Sequence, residues 1–347
     1  MNNPKRPTLL FITVLLPVFL PVLAACGATN SVKNPNNSNS TANSTTTSTP
    51  VPVAKNWSAP VLIYGNTPGI SGAPDTVSCS SASVCVVVDE ATAGSGGGNE
   101  ISYTGSTWSS PVDINGTTQI LSVSCPSATF CMAVDSMGNA LSYDGSTWSS
   151  KVNIEGSNYF TYVSCPSATF CMAVDDSGNA FSYTGSTWSS AANIDVNGLV
   201  SVSCPSTTFC MAVDSMGNAL SYDGNTWSSA ANIDGSTSLY SVSCPSATFC
   251  MAVDFDGNAL SYNGSTWSSA ANIDGTQSFL SSVSCPSTSF CTAVDSNGNA
   301  LSYNGTTWSA PVNMNKSNNT ASSISCPTAT FCMAVDSAGY ASAWNAK

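Results

Sequence analysis

Residues 124–148 read SCPSATFCMAVDSMGNALSYDGSTW, and the chain repeats this stretch to its end. Near-copies begin at Ser164, Ser203, Ser243 and Ser284, with looser versions at Ser78 and Ser325. The first Cys of each copy stands at 79, 125, 165, 204, 244, 285 and 326, so the steps are 46, 40, 39, 40, 41 and 41 residues. A period of this size points to a solenoid or a propeller. Within one copy, residues 239–244 (LYSVSC), 250–254 (CMAVD) and 259–262 (ALSY), and a run starting at Trp267 (WSSAANI), read as four short strands. Turn residues separate them: Pro245 to Phe249, Phe255-Asp256-Gly257-Asn258 and Asn263-Gly264-Ser265. Runs of Val, Tyr, Trp, Thr and Ser between such turns, with no helical period, describe the four-stranded blade of an all-β propeller.

The two ends decide between an open and a closed array. The Trp run occurs at 57, 108, 148, 188, 227, 267 and 308, and the Cys pair also occurs seven times. The repeat region nevertheless opens on an orphan Trp run, 57–63, and its last unit stops at 341–344 without one. The expectation is a seven-bladed propeller over 57–347, closed when the N-terminal strand completes the last blade. A solenoid would need capping units instead. If the Trp run is outermost, the SVSC strand lines the channel. The variable crossovers then share one face with the Asp-Gly-Asn turns, and ligands are expected there.

Upstream of the repeats, residues 1–25 read as an export signal: Lys5 and Arg6, then an apolar stretch from Thr8 to Ala25. That stretch borders on spanning length, so an uncleaved anchor helix is the alternative, which Pro17 and Pro21 weaken. Leu23-Ala24-Ala25-Cys26 resembles the lipobox of bacterial lipoproteins, which implies cleavage before Cys26 and a diacylglyceryl group on its thiol. Residues 26–56, rich in Asn, Ser, Thr and Pro, have too little apolar surface to order themselves and read as a tether. The expected protein is exported, anchored to the bacterial membrane through Cys26, with a monomeric propeller outside the cytoplasm.

The other fourteen Cys form Cys-x5-Cys pairs: Cys79 and Cys85, Cys125 and Cys131, Cys165 and Cys171, Cys204 and Cys210, Cys244 and Cys250, Cys285 and Cys291, Cys326 and Cys332. Each pair spans the turn between the first two strands of a copy. Opposed residues of an antiparallel pair lie about 4.5–5.5 Å apart, within disulfide reach. Export favours oxidation, and zinc lacks both CxxC spacing and His ligands.

The hairpins Ser142 to Trp148 (SYDGSTW) and Ser221 to Trp227 (SYDGNTW) resemble the Asp-box of sialidase-like (BNR-repeat) propellers, although one residue is missing between Asp and Gly. The Asp position holds Asp144 and Asp223 but Thr104, Thr184, Asn263 and Asn304 elsewhere. The resemblance implies a propeller in which this box is structural and lies opposite the active face.

Composition excludes much chemistry. There are 7 Lys+Arg against 19 Asp+Glu, a net charge of -12, no His, and only 7% charged residues. Without His there is no imidazole acid or base and no His-based triad. Cleavage before Cys26 would leave five Lys, no Arg and a charge of -14. Nucleic-acid binding lacks its basic footprint. Sialidase activity lacks the Arg cluster that grips a carboxylate.

The recurring aspartates Asp89, Asp135, Asp175, Asp214, Asp254, Asp295 and Asp336 read first as caps of their own turns. Read functionally, Asp135, Asp175, Asp214, Asp254 and Asp295, with Glu90 and Glu100, form an acidic ligand face. Asp175-Asp176 and Asp254 with Asp256 are the most calcium-like donors, but neither stretch has a distal Glu. No other cofactor is implied. The insertion 90–100 (EATAGSGGGNE) lengthens one top loop by six residues relative to the second copy, and Tyr159, Phe160, Tyr240 and Phe279 add crossover aromatics. The reading is a surface-anchored, non-catalytic module for glycan, peptide or envelope protein. The alternative is a carboxylate-dependent glycan hydrolase or lyase.

Overall fold

The computed structural model describes residues 57–64, 72–91, 98–156, 159–275, 278–314 and 319–346. The export signal, Cys26 and the tether lie outside the described residues, as do positions 92–97 of the insertion. The described chain forms seven antiparallel sheets of four strands each. In the fifth, Leu239–Ser246 pairs with Phe249–Asp254, which pairs with Asn258–Tyr262, which pairs with Ala271–Asn272. The innermost strand of each blade packs on those of both neighbours, and that of the first blade, Gly72–Ser81, packs on that of the seventh, Ala321–Thr328. This is the closed ring expected from the repeats.

Closure uses the N-terminal segment. Val61–Leu62 is the outer strand of the seventh blade, with Val61 opposite Ala341 and Leu62 opposite Tyr340. Trp57 and Trp344 form an antiparallel bridge, flanked by Ser58 N–H donating to Ala343 O at 2.7 Å.

Both faces of every blade meet a neighbour, which explains the second strand. Cys250, Met251, Ala252, Val253 and Asp254 are all buried, so CMAVD is a continuous apolar run rather than an alternating one. Between the fourth and fifth blades, Met211, Val213 and Ala219 pack on Leu239, Val242, Cys244, Ala252 and Leu260. Burying such side chains contributes roughly 1.5–3 kcal/mol each. The repeated Trp residues are only half-buried and cover the outer rim of these seams, as Trp267 does here.

The outer strand is shorter than the sequence suggested. Trp267 makes one bridge to Tyr262, and regular pairing resumes only at Ala271–Asn272. The reason is local. The Ser268 hydroxyl accepts the Ser261 N–H at 3.0 Å, so a side chain takes over a ladder acceptor and the backbone leaves the sheet.

All seven disulfides are formed, with Cα atoms 3.9 Å apart in the first blade and 4.1 Å in the others. In six blades the first Cys falls in a register shift of the innermost strand, as between Ser243 and Ser246, whereas in the first blade Cys79 lies directly opposite Cys85 and the shift follows it. The serine before the first Cys of each blade ties the ring together. Each of these Cys N–H groups donates to the hydroxyl of the serine in the preceding blade, from Cys125 to Ser78 through Cys326 to Ser284, at 2.9–3.0 Å. Cys79 donates to Ser325 at 2.9 Å and completes the circle.

Candidate functional site: the channel mouth and crossover face

Each innermost strand carries a β-bulge near its start. The bulged residues are Asp75, Leu121, Thr161, Val200, Tyr240, Ser281 and Ser322. A bulge leaves one residue unpaired and re-aims its side chain. Here all seven line one cavity of about 460 Å³ on the ring axis. The position before the bulge is apolar in every blade and the one after it is Ser in five of the seven, whereas the bulge residue is acidic, aliphatic, hydroxylated or aromatic according to the blade.

The mouth opens on the face shared by the crossovers and the Asp-Gly-Asn turns. Tyr240 stacks with Phe255 at 6.0 Å and with Phe279 at 5.3 Å, and those two rings stack at 5.9 Å with an interplanar angle of 2°. Three blade elements contribute to this cluster: a bulge, a turn and a crossover. Phe255 is 52% exposed, and Met137, Met216, Tyr159 and Val196 add further exposed apolar groups on the same face. Neither Phe255 nor the turn methionines were singled out in the sequence. The available signal was their place: the two variable positions of a repeated Asp-x-x-Gly turn, Phe255 at the first and Met137 and Met216 at the second.

The aspartates lie beneath this face. Asp135, Asp175, Asp214, Asp254 and Asp295 are fully buried, and Asp89 equally so. In Asp214, Oδ1 accepts the N–H groups of Met216 at 2.9 Å and Asn218 at 2.7 Å, while Oδ2 accepts Asn218 Nδ2 at 2.6 Å. Asp135, Asp175, Asp254 and Asp295 repeat the pattern. They hold the turns in shape, as the turn-capping reading anticipated. The glycine of each turn is left-handed: at Gly178, φ is 81° and a Cβ would come within 2.2 Å of Asp195 O.

Three of these carboxylates meet a second one from the preceding crossover: Asp195 faces Asp214, Asp234 faces Asp254, and Asp274 faces Asp295. Burial, then the hydrogen bond with Asp254 and the charges of Asp254 and Asp256, push Asp234 up to about 7. Burial also raises Asp195 beside Asp214, and Asp295 with Asp274 contributing charge. Burial opposes ionisation of Asp214, but the bonds from Asn218 and Met216 outweigh it and hold that carboxyl below its ordinary range. In each pair the nearby second carboxyl adds to burial in opposing ionisation of the raised member. The second blade solves the same contact differently, with Asn115 Nδ2 donating to Asp135 Oδ2 at 3.0 Å.

Asp176 and Asp256 are exposed in their turns. Among the described residues, no group of three or more His, Cys, Asp or Glu is close enough to hold a metal ion. Glu90 belongs to Val84–Ala91, where its backbone is opposite Ala73, so part of the insertion extends the first hairpin. Glu100 lies in Asn99–Tyr103 and lines the cleft between the first and second blades, away from the channel mouth. On the opposite face, Asp144 Oδ1 accepts the N–H groups of Ser146 at 2.9 Å and Thr147 at 2.8 Å. Those bonds, led by Thr147, lower its pKa to about 2. Asn263 and Asn304 accept the corresponding pairs in their blades, so the side-chain acceptor is retained where the Asp is not.

Fold and site together define a disulfide-stapled propeller with a variable axial mouth. No protein-family model matches the chain, nor does any curated protein. Among solved structures, it is similar to one described as YCF48 bound to D1 peptide: TM-score 0.66, 13% identity, covering 84% of this chain and 95% of that one. It is also similar to YCF48 from Cyanidioschyzon merolae, with TM-score 0.64, 14% identity and coverage of 83% and 98%. At these identities the likeness shows the fold.

Proposed function

We propose that this protein is a lipid-anchored, non-enzymatic propeller, held outside the cytoplasm, that binds a peptide segment of another protein at the channel mouth. The observation carrying the reading is the set of bulge positions. A scaffold repeated almost without change presents a different side chain to the axis from nearly every blade, the pattern of a recognition surface on a constant frame. The cavity admits a few side chains rather than a folded domain. The Tyr240, Phe255 and Phe279 stack supplies the aromatic anchor that concentrates binding energy at protein interfaces. Peptide binding by a neighbour of the same fold supports the choice of peptide over glycan. The buried acid pairs offer little to a hydrolase or lyase, because a substrate does not reach carboxylates sealed beneath the turns.

The test is selection from a displayed peptide library on the 57–347 propeller. A double Tyr240→Ala, Phe255→Ala variant, both partly exposed positions, should lose at least tenfold in affinity for selected peptides, about 1.4 kcal/mol or more. Peptides bound equally by the variant, or an array on which oligosaccharides bind and peptides do not, would overturn the proposal.

A further inference from the structure

The blade seams are near-copies of one another, with one departure. On the third strand, the position facing the next blade is Ala140, Ala180, Ala219, Ala259, Ala300 or Ala341 in six blades and Glu100 in the first. On the second strand, the same-face position diagonal to it is Met132, Met172, Met211, Met251 or Met333 in five blades, Thr292 in one, and the shorter Val86, opposite Ser102, in the first. These methionines are buried and fill their seams. The first blade has thus exchanged a filler for a smaller side chain and an alanine for a carboxylate, at diagonal positions of one wall.

The result is a cleft of about 620 Å³ between the first and second blades, against about 500 Å³ for the cleft between the second and third. Glu100 and Ser102 form one wall. The opposite wall carries Tyr143 and Trp148, whose rings lie 5.5 Å apart at 44°. Glu100 is 8% exposed and receives the Ser102 hydroxyl, but among the described residues no positive charge offsets its burial. A buried carboxylate without a cation is costly, and six blades avoid it. A cation placed between a carboxylate and two aromatic faces is held by both. Among the described residues none supplies one here.

We propose that this cleft is a binding site for an organic cation, an alkylammonium or guanidinium group, seated between Glu100 and the Tyr143–Trp148 pair. The site is separate from the channel mouth and independent of peptide binding there. The cation comes either from a free amine or from a lysine or arginine side chain of a partner protein.

The test is titration of the full chain, followed by Trp fluorescence and calorimetry, with butylamine, propylguanidine, N-acetyl-lysine methylamide and the neutral N-acetyl-norleucine methylamide. The comparison protein is the Val86→Met, Glu100→Ala double variant. It restores the consensus of the other blades, so it should fold with an unchanged or higher melting temperature. The expected result is binding of the cations, at least tenfold weaker binding of the norleucine derivative, and about tenfold or greater loss in the variant. A lysine derivative bound more tightly than butylamine identifies a protein side chain as the source, and equal affinity identifies a free amine. No saturable cation binding, equal binding of the neutral compound, or full binding by the folded variant would overturn the proposal.

Discussion

The acid pairs are the residue-scale feature with the clearest consequence. Asp234 is held protonated in the fold to about pH 7, whereas in the unfolded chain it ionises in the ordinary carboxylate range. The native state therefore binds the extra proton between those limits, and stability falls as pH rises from about 4 toward 7. Asp195 and Asp295 are shifted the same way and add to the slope. Asp234→Asn keeps the shape and imitates the Asn115 contact to Asp135. It should raise the melting temperature at pH 8, leave it nearly unchanged at pH 4, and flatten the profile between. Thermal unfolding across that range checks this, and a steeper profile in the variant would contradict it. The aspartate caps were legible in the sequence because they recur. Their partners were not, since the crossover position varies as Tyr64, Asn115, Glu155, Asp195, Asp234 and Asp274 and meets its acid only across a blade boundary.

At the scale of the element, the innermost hairpin carries both a staple and a link to its neighbour. A disulfide closing so short a loop contributes about 2 kcal/mol on the chain-entropy model. Replacing Cys244 and Cys250 together by Ala should cost about that much plus a packing loss, since both lie in the fifth-blade seam. Ser203→Ala leaves the Cys244 N–H without its acceptor and should cost about 1–3 kcal/mol by denaturant titration. An exposed Ser such as Ser229 should cost nearly nothing. The Cys-x5-Cys spacing announced the staples, but nothing in local spacing announced the serine ring. Six of the links join residues about 40 positions apart and the closing one joins residues 246 apart, and a repeated Ser-Cys pair reads equally as a polar strand residue. The outer strand was overestimated for a related reason: Ser268 competes with backbone for the ladder, and propensity does not register such competition.

For the whole molecule, period, strand count and the mismatch between the ends were enough to anticipate a closed seven-blade ring. Trp57 beside Trp344 is where that expectation met the structure. Removing residues 57–64 would expose the edge formed by Tyr340–Asn345 and uncover Trp344, which is 3% exposed in the closed ring. The truncated propeller should melt at lower temperature and associate through that edge, as judged by light scattering. The site was less legible than the ring. Its aromatic anchor joins Tyr240, Phe255 and Phe279 from three separate segments, and its bulges appear only once the innermost strand is paired. Glu100, read as part of an acidic face, proved to belong to a seam, because the side to which a strand residue points depends on where the neighbouring blade sits. The measurement that bears most directly on peptide recognition is a crystal structure of the propeller with a selected peptide. Density crossing the channel mouth, in contact with Tyr240 and at least one other bulge residue, is the predicted result. A peptide seated on the outer rim or on the Asn-Gly-Ser hairpin face would contradict it.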